Sequence, residues 1–271
     1  NQGFEMELNW NDKVSDFEYN VGFNISTVNN KVVSLADEDQ TIYGVGLKYG
    51  SEHFPTQTKV GKPIGSYFLY QADGIFQTMD EVKAHVNKDG ELLQPDAKPG
   101  DIRFKDMNGN GEIDEDDKVY SGTGIAKVEA NLNLSASYKA LDFSAVIGSA
   151  FGHKLYNGIQ YYYEGMNSAS NFLSSTLDAW TPEHTNTNVP RAIYGDPNDN
   201  TRESTRFLEN GDFVRLRQIQ FGYTLPQALV KKISCDRIRF YVSAENLFTI
   251  TGYSGANPEF SQGVLNSGVD R

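Results

Sequence analysis

The sequence predicts an antiparallel all-β protein, and three observations carry that class. Strict two-residue alternation recurs in long segments, aromatic residues make up 12% of the 271 residues, and no apolar run approaches the roughly 20 residues a membrane helix needs. Successive strand side chains point to opposite faces, so this alternation marks a sheet with one apolar and one polar face. Aromatic rings suit such a surface, burying a face while a polar edge stays wet.

The elements follow in order. Phe4, Met6, Leu8 and Trp10 alternate with Glu5, Glu7 and Asn9, and a polar turn is expected at residues 11–13. Phe17, Tyr19, Val21, Phe23 and Ile25 form the next apolar set. Residues 31–55 are mixed. The stretch "GSYFLYQADGIF" (65–76) reads as a strand ending at the turn signal Asp73-Gly74, and residues 80–86 as one or two helical turns.

After an acidic loop the alternation returns. Val128, Ala130, Leu132, Leu134, Ala136 and Tyr138 face one way, and a turn at Lys139-Ala140 leads into Leu141, Phe143, Ala145 and Ile147. Residues 156–197 are aromatic, Asn-rich and turn-rich, with a helix expected around 171–179; insertions of that length are usually functional. In residues 213–223 the apolar set slips from Val214 and Leu216 to Ile219, Phe221 and Tyr223, which predicts a bulge. Ile238, Phe240, Val242 and Ala244 make the last clear strand.

Composition narrows the function classes. A net charge of -12, from 24 basic and 36 acidic residues, argues against general affinity for nucleic-acid phosphates. Cys235 is alone, so there is no internal disulfide framework, and four scattered histidines offer no zinc cluster. No Ser, Cys or His stands in a nucleophile setting, so enzyme activity is not expected.

Two architectures share this pattern. A β-sandwich binding module would bury the apolar faces of two sheets against each other. A transmembrane β-barrel would turn its apolar face to lipid and its polar face to a lumen. Short turns at 11–13, 139–140 and 225–233 alternate with long insertions at 29–59, 76–124, 152–211 and from 249 onward, as barrel strands do between their two ends.

A family resemblance then enters, on an ordered set of segments. These are "NQGFEMELNW" (1–10), "GKPIGSYFLYQADGIF" (61–76), "KPGDIRFKDMNGNGEIDEDDKVYSG" (98–122), "LDAWTPEHTNTNVPR" (177–191), "FVRLRQIQFGYTLP" (213–226) and "RIRFYVSAENLFTITGYSGANPE" (237–259). Together they resemble the C-terminal part of SusC/RagA-type, TonB-linked outer-membrane transporters. The resemblance implies a partial transmembrane β-barrel with long extracellular loops across residues 1–271, without the plug, the first strands or the last strand. It also implies import of glycans or peptides in the bacterial outer membrane. The implied partners are a SusD-like surface lipoprotein, the TonB complex and outer-membrane lipid, with no organic cofactor. The alternative is a secreted or surface-exposed, non-enzymatic β-sandwich with a structural calcium loop.

Two groups of site residues stand out. In "DMNGNGEIDEDD" (106–117), Asp106, Asn108, Asn110, Glu112, Asp114 and Asp117 fall at positions 1, 3, 5, 7, 9 and 12 of a calcium loop turning on Gly111. The flanks are not amphipathic helices, so the expectation is a structural calcium site within a 101–122 insertion, set against a metal-free Asx turn. The second group is Tyr161, Tyr162, Tyr163, Trp180, Asn186, Asn188 and Tyr194. Their rings and amides suit a substrate- or partner-facing patch, or simply pack the long insertion.

Overall fold

The computed structural model describes residues 1–37, 40–49, 51–166, 171–260 and 263–270. The chain divides into two units. The first comprises residues 1–30, 126–153 and 211–253, and the second comprises 31–125, 154–210 and 254–271.

The first unit is a six-stranded sheet in the order Glu5–Val14, Phe17–Thr27, Val128–Tyr138, Leu141–Phe151, Phe213–Thr224 and Arg239–Thr251. Every neighbouring pair is antiparallel, and the registers align like with like. Leu8, Phe23, Leu132, Ile147, Leu216 and Phe248 form one row across all six strands; Trp10, Val21, Leu134, Ala145, Ile219 and Ala244 form the next. The row that follows, Asn11, Asn20, Ser135, Ser144, Gln220 and Ser243, lies on the opposite face. A one-residue slip would send each apolar set to the polar face, so the alternation itself pins the register.

The apolar rows are largely uncovered: Leu8, Trp10, Phe221, Val242 and Ile250 are all exposed. The polar face carries an ion pair seated over a glycine. Arg239 Nε donates to Asp142 Oδ1 at 3.0 Å, and a Cβ on Gly222 would fall 2.4 Å from both partners. That guanidinium holds the Asp142 carboxyl below its ordinary range.

The expected slip in 213–223 is present as a register shift at Arg217, between Leu216 and Gln218, on both sides of the strand. The turn expected at 11–13 is not there. Asn11, Asp12 and Lys13 stay in the ladder opposite Asn20, Tyr19 and Glu18, and the chain reverses at Ser15, whose φ is 57°. Pairing along the full strand outweighs the local turn preference of Asn and Asp.

The expectation of an all-β transmembrane barrel, and of the chain as a C-terminal barrel fragment, is corrected here. The sheet is open, with Glu5–Val14 and Arg239–Thr251 each paired on one side. Six strands fall short of the eight with which small barrels close. The second unit is mixed α/β, built from small unclosed sheets and short helices rather than further barrel strands. Among the described residues no helix is long and apolar enough to cross a membrane, which leaves strands unaddressed.

In the second unit, Val119–Thr123, Ser66–Leu69, Thr56–Thr58 and Ile42–Tyr43 make a four-stranded sheet. Lys154–Asn157 lies between Leu208–Asn210, antiparallel, and Val269–Asp270, parallel. Ala72–Ile75 pairs with Ile102–Phe104. The stretch 65–76 is therefore two strands, not one, and Asp73-Gly74 lies inside the second. Short helices cover Met79–Ala84 and Gly158–Tyr163, and the helix expected near 171–179 is a 3-10 turn, Ser174–Asp178.

The core of this unit is aromatic: Leu47, Tyr67, Leu69, Tyr156, Tyr161, Phe207 and Val269 cluster together. Beside it lies a chain of buried charges. Glu203 accepts from His53 through one oxygen and from Lys118 through the other, and Lys118 also reaches Glu115 at 2.7 Å. Buried charges persist only when paired and hydrogen-bonded. Burial opposes the Glu203 carboxylate, but His53 and Lys118 outweigh it and hold its pKa at about 2.

Candidate functional site: a polar cleft in the second unit

The second unit contains a cleft of about 440 Å3 lined by Asp73, Gly74, Ile75, Gln77, Glu81 and Arg103 on one side and Thr185, Asn186, Thr187 and Asn188 on the other. Nearly every lining side chain can donate or accept a hydrogen bond.

The first wall begins with a break in a strand. Gly74 adopts φ 83°, which favours glycine, and the register to Ile102–Phe104 shifts between Ala72 and Ile75. Asp73 then meets two cations, Arg103 Nη2 at 3.2 Å and Lys105 Nζ at 3.1 Å. Slight burial raises the Asp73 pKa, but the two cations outweigh it and lower the carboxyl below its ordinary value. Glu81 stands in the first turn of the Met79–Ala84 helix, whose N-cap Thr78 accepts from Glu81 N at 3.2 Å. Its carboxylate reaches back to accept from Gln77 N at 2.7 Å.

The second wall is a loop closed on itself. Trp180 N donates to Val189 O at 3.0 Å, and Thr181 and His184 form an antiparallel bridge. Asp178 accepts from His184 Nε2 at 2.7 Å and from Thr187 Oγ1 at 3.0 Å, contacts that lower its pKa. Below the loop, Arg191 grips the fully buried Asp101 with two hydrogen bonds of 2.7 and 3.0 Å. Asn200 and Lys98 N complete the Asp101 shell at 3.0 and 2.8 Å.

The structure places the seven candidate patch residues in different settings. Asn186 and Asn188 are exposed and line the cleft. Trp180 is buried behind it, its indole N–H donating to Gln77 Oε1 at 2.9 Å. Tyr161 is in the aromatic core with Tyr162 packed against it, while Tyr163 and Tyr194 are exposed. The "YYY" run sits on a helix, where consecutive side chains point about 100° apart, so the three rings diverge. Sequence reading missed Gln77, Glu81 and Arg103; a helix N-cap signal at Thr78 with Glu81 three residues on was the available clue.

The acidic loop is closed by its own hydrogen bonds. Asp106 accepts from Gly109 N at 2.6 Å and Gly111 N at 2.9 Å, Asn108 from Asn110 N at 2.7 Å, and Asn110 from Glu112 N at 2.9 Å. Asp114 caps the 3-10 turn Glu115–Asp117, and the buried Asp117 accepts from Met107 N at 2.6 Å and Asp114 N at 2.9 Å. Gly111 has φ 97°, the turn that the motif requires of a glycine. Among the described residues no group of three or more His, Cys, Asp or Glu side chains is arranged to hold a metal ion.

Comparison with known proteins gives a consistent picture. No family model matches the chain. It is 31% identical over 264 residues to a TonB-dependent receptor of Formosa agariphila, covering 96% of this chain and 25% of that protein. It is 27% identical over 271 residues to the TonB-dependent receptor SusC of Bacteroides thetaiotaomicron, covering 97% of this chain and 24% of that one. The chain thus spans about a quarter of the length of the curated relatives it matches. In structure it resembles part of the RagAB peptide transporter, with a TM-score of 0.72 and 21% identity over 99% of this chain and 27% of that one.

Proposed function

We propose that this chain is a non-enzymatic part of a TonB-linked uptake system at the outer membrane, and that its polar cleft contacts a glycan or peptide during import. The sequence similarity to TonB-dependent receptors supports the transport class. The observation that carries the site is the cleft itself: amides of Gln77, Asn186 and Asn188 with the charges of Asp73, Glu81 and Arg103 around one concavity. A few convergent polar groups fix orientation in ligand sites generally. The exposed apolar rows of the large sheet support membrane association, because contiguous apolar surface marks protein or lipid contact. A SusD-like surface lipoprotein and the TonB complex are the proposed partners.

The test uses the full-length protein that contains this chain. Binding and uptake of oligosaccharides and oligopeptides are compared between the parent and an Asn186→Ala/Asn188→Ala double variant. The expected result is about tenfold weaker binding of the accepted class, some 1.4 kcal/mol. Unchanged binding and uptake of every accepted ligand would remove the cleft from the pathway.

We further propose that the loop at 106–117 takes calcium as a structural ion, supported by five oxygen-bearing side chains at calcium-loop positions on one glycine turn. Carboxylates keep lone pairs beyond those used by N–H groups, so a cation can share Asp106, Asp114 and Asp117. Titration with calcium should give a heat that Asp106→Ala removes. No heat at about 1 mM, the weak end for extracellular sites, would leave the hydrogen-bonded turn as the full account.

A further inference from the structure

Resting on the reading of the cleft as a ligand site, we infer that Trp180 is its positioning residue, acting through Gln77. An indole N–H can only donate, so the 2.9 Å contact obliges Gln77 to present Oε1 to Trp180. The Gln77 amide nitrogen is thereby turned toward Ile75 O, to which it donates at 3.1 Å. The Gln77 main chain is held as well, by the Glu81 carboxylate at 2.7 Å. Two bonds therefore fix this side chain, and a third its backbone, before any ligand arrives. What remains for a ligand is one Nε2 hydrogen and one Oε1 lone pair, with their directions already set. A group locked in this way loses less rotamer freedom on binding.

Trp180 is itself held firmly enough to do this. Its ring lies against Gly100, where an added Cβ would fall 2.5 Å from Cε3 and 2.7 Å from Arg191 Cβ. Gly100 has φ 93°, so a side chain there is strained as well as obstructed. Arg191 packs over the same glycine while its guanidinium holds Asp101, and Arg191 N donates to Gly100 O at 2.8 Å. The backbone of Trp180 also closes the loop that carries Asn186 and Asn188. One residue therefore sets the amide of one wall and the base of the other. Trp180 is buried and offers the ligand no ring face.

The experiment separates this role from plain packing. Trp180→Phe keeps a ring over Gly100 and deletes the N–H; Gln77→Leu keeps the volume and deletes the acceptor. In the full-length protein, Gln77→Leu should shift the tryptophan emission in a difference spectrum, and this shift should vanish when Trp180→Phe is also present. A spectrum unchanged by Gln77→Leu would overturn the inference without any ligand being known. For a ligand that the parent binds, Trp180→Phe should weaken binding about fivefold with the melting temperature unchanged, and the effect should disappear in a Gln77→Leu background. Weakening by Gln77→Leu but not by Trp180→Phe would overturn the positioning role while leaving the cleft a ligand site. If Asn186→Ala/Asn188→Ala and Gln77→Leu both leave binding unchanged, the cleft reading fails, and the emission result alone decides whether Trp180 fixes Gln77.

Discussion

The two units of this chain hold themselves together by opposite means. The six-stranded sheet leaves many of its apolar residues exposed, above all on its two outer strands, and depends on ladder pairing in a register fixed by strict alternation. The second unit buries polar and charged groups, among them Asp101, Glu203, Lys118, His53, Gln94, Asn198 and Asn200, beside its aromatic core. Gln94 alone makes three such bonds: it accepts from Phe104 N at 2.8 Å and donates to Ile102 O and Asn198 Oδ1 at 2.9 Å. A sheet stabilised by repetition tolerates loss at one position, whereas a buried polar network fails when one member is removed.

The largest expected effect sharpens that contrast. Asp101→Ala leaves the Arg191 guanidinium without its anion and Lys98 N and Asn200 without their acceptor, a loss of about 3–5 kcal/mol. Hydrogen exchange in the full-length protein should rise across residues 72–104 and 181–200 while residues 128–151 stay protected. Equal acceleration in both units would show that they are not separately stabilised.

The next effect is pH-dependent. Burial lowers the His53 pKa, but the hydrogen bond and charge of Glu203 outweigh it and raise the folded value above 6.5. The stabilisation is therefore complete below pH 6.5 and lost as pH rises through the raised folded value. Protection of residues 53–58 should fall over that window, and His53→Gln should flatten the profile. At the acid end Glu203, with a folded pKa of about 2, contributes above its ordinary value of 4.5 and loses that contribution as pH falls toward 2. A profile unchanged by His53→Gln would remove the histidine from the network.

Smaller effects belong to the sheet. Gly222→Ala places a Cβ 2.4 Å from Arg239 and Asp142, whose flexible ends can shift aside, so the cost should be about 1 kcal/mol. Denaturant midpoints measure it, and a cost above that of Asp101→Ala would invert the comparison. Smallest of all, Val242→Ala at a site 76% exposed should change stability by less than about 0.5 kcal/mol. A loss above about 2 kcal/mol would mean that this face is covered when the protein works, and that the sheet too is held by burial.

By itself the sequence determined the ladder of the first unit. The two-residue period placed each apolar residue on one face, and the phase slip after Leu216 located the bulge at Arg217. It also marked the acidic loop and two cleft residues, Asn186 and Asn188. Whether the sheet closes was not written there, because alternation fixes which face a side chain takes but not how many strands join or how the ends pair. The barrel expectation failed at that point, and the turn expected at 11–13 gave way to ladder pairing across the hairpin. Tertiary structure alone decided that Tyr161 is core, that Trp180 stands behind the cleft, and that Asp73, Gln77 and Arg103 meet Asn186 and Asn188. Those partners lie up to 115 residues apart, and Trp180 to Gln77 spans 103. Hydrogen bonds between such distant groups leave no period in the chain, so only the folded arrangement reveals them.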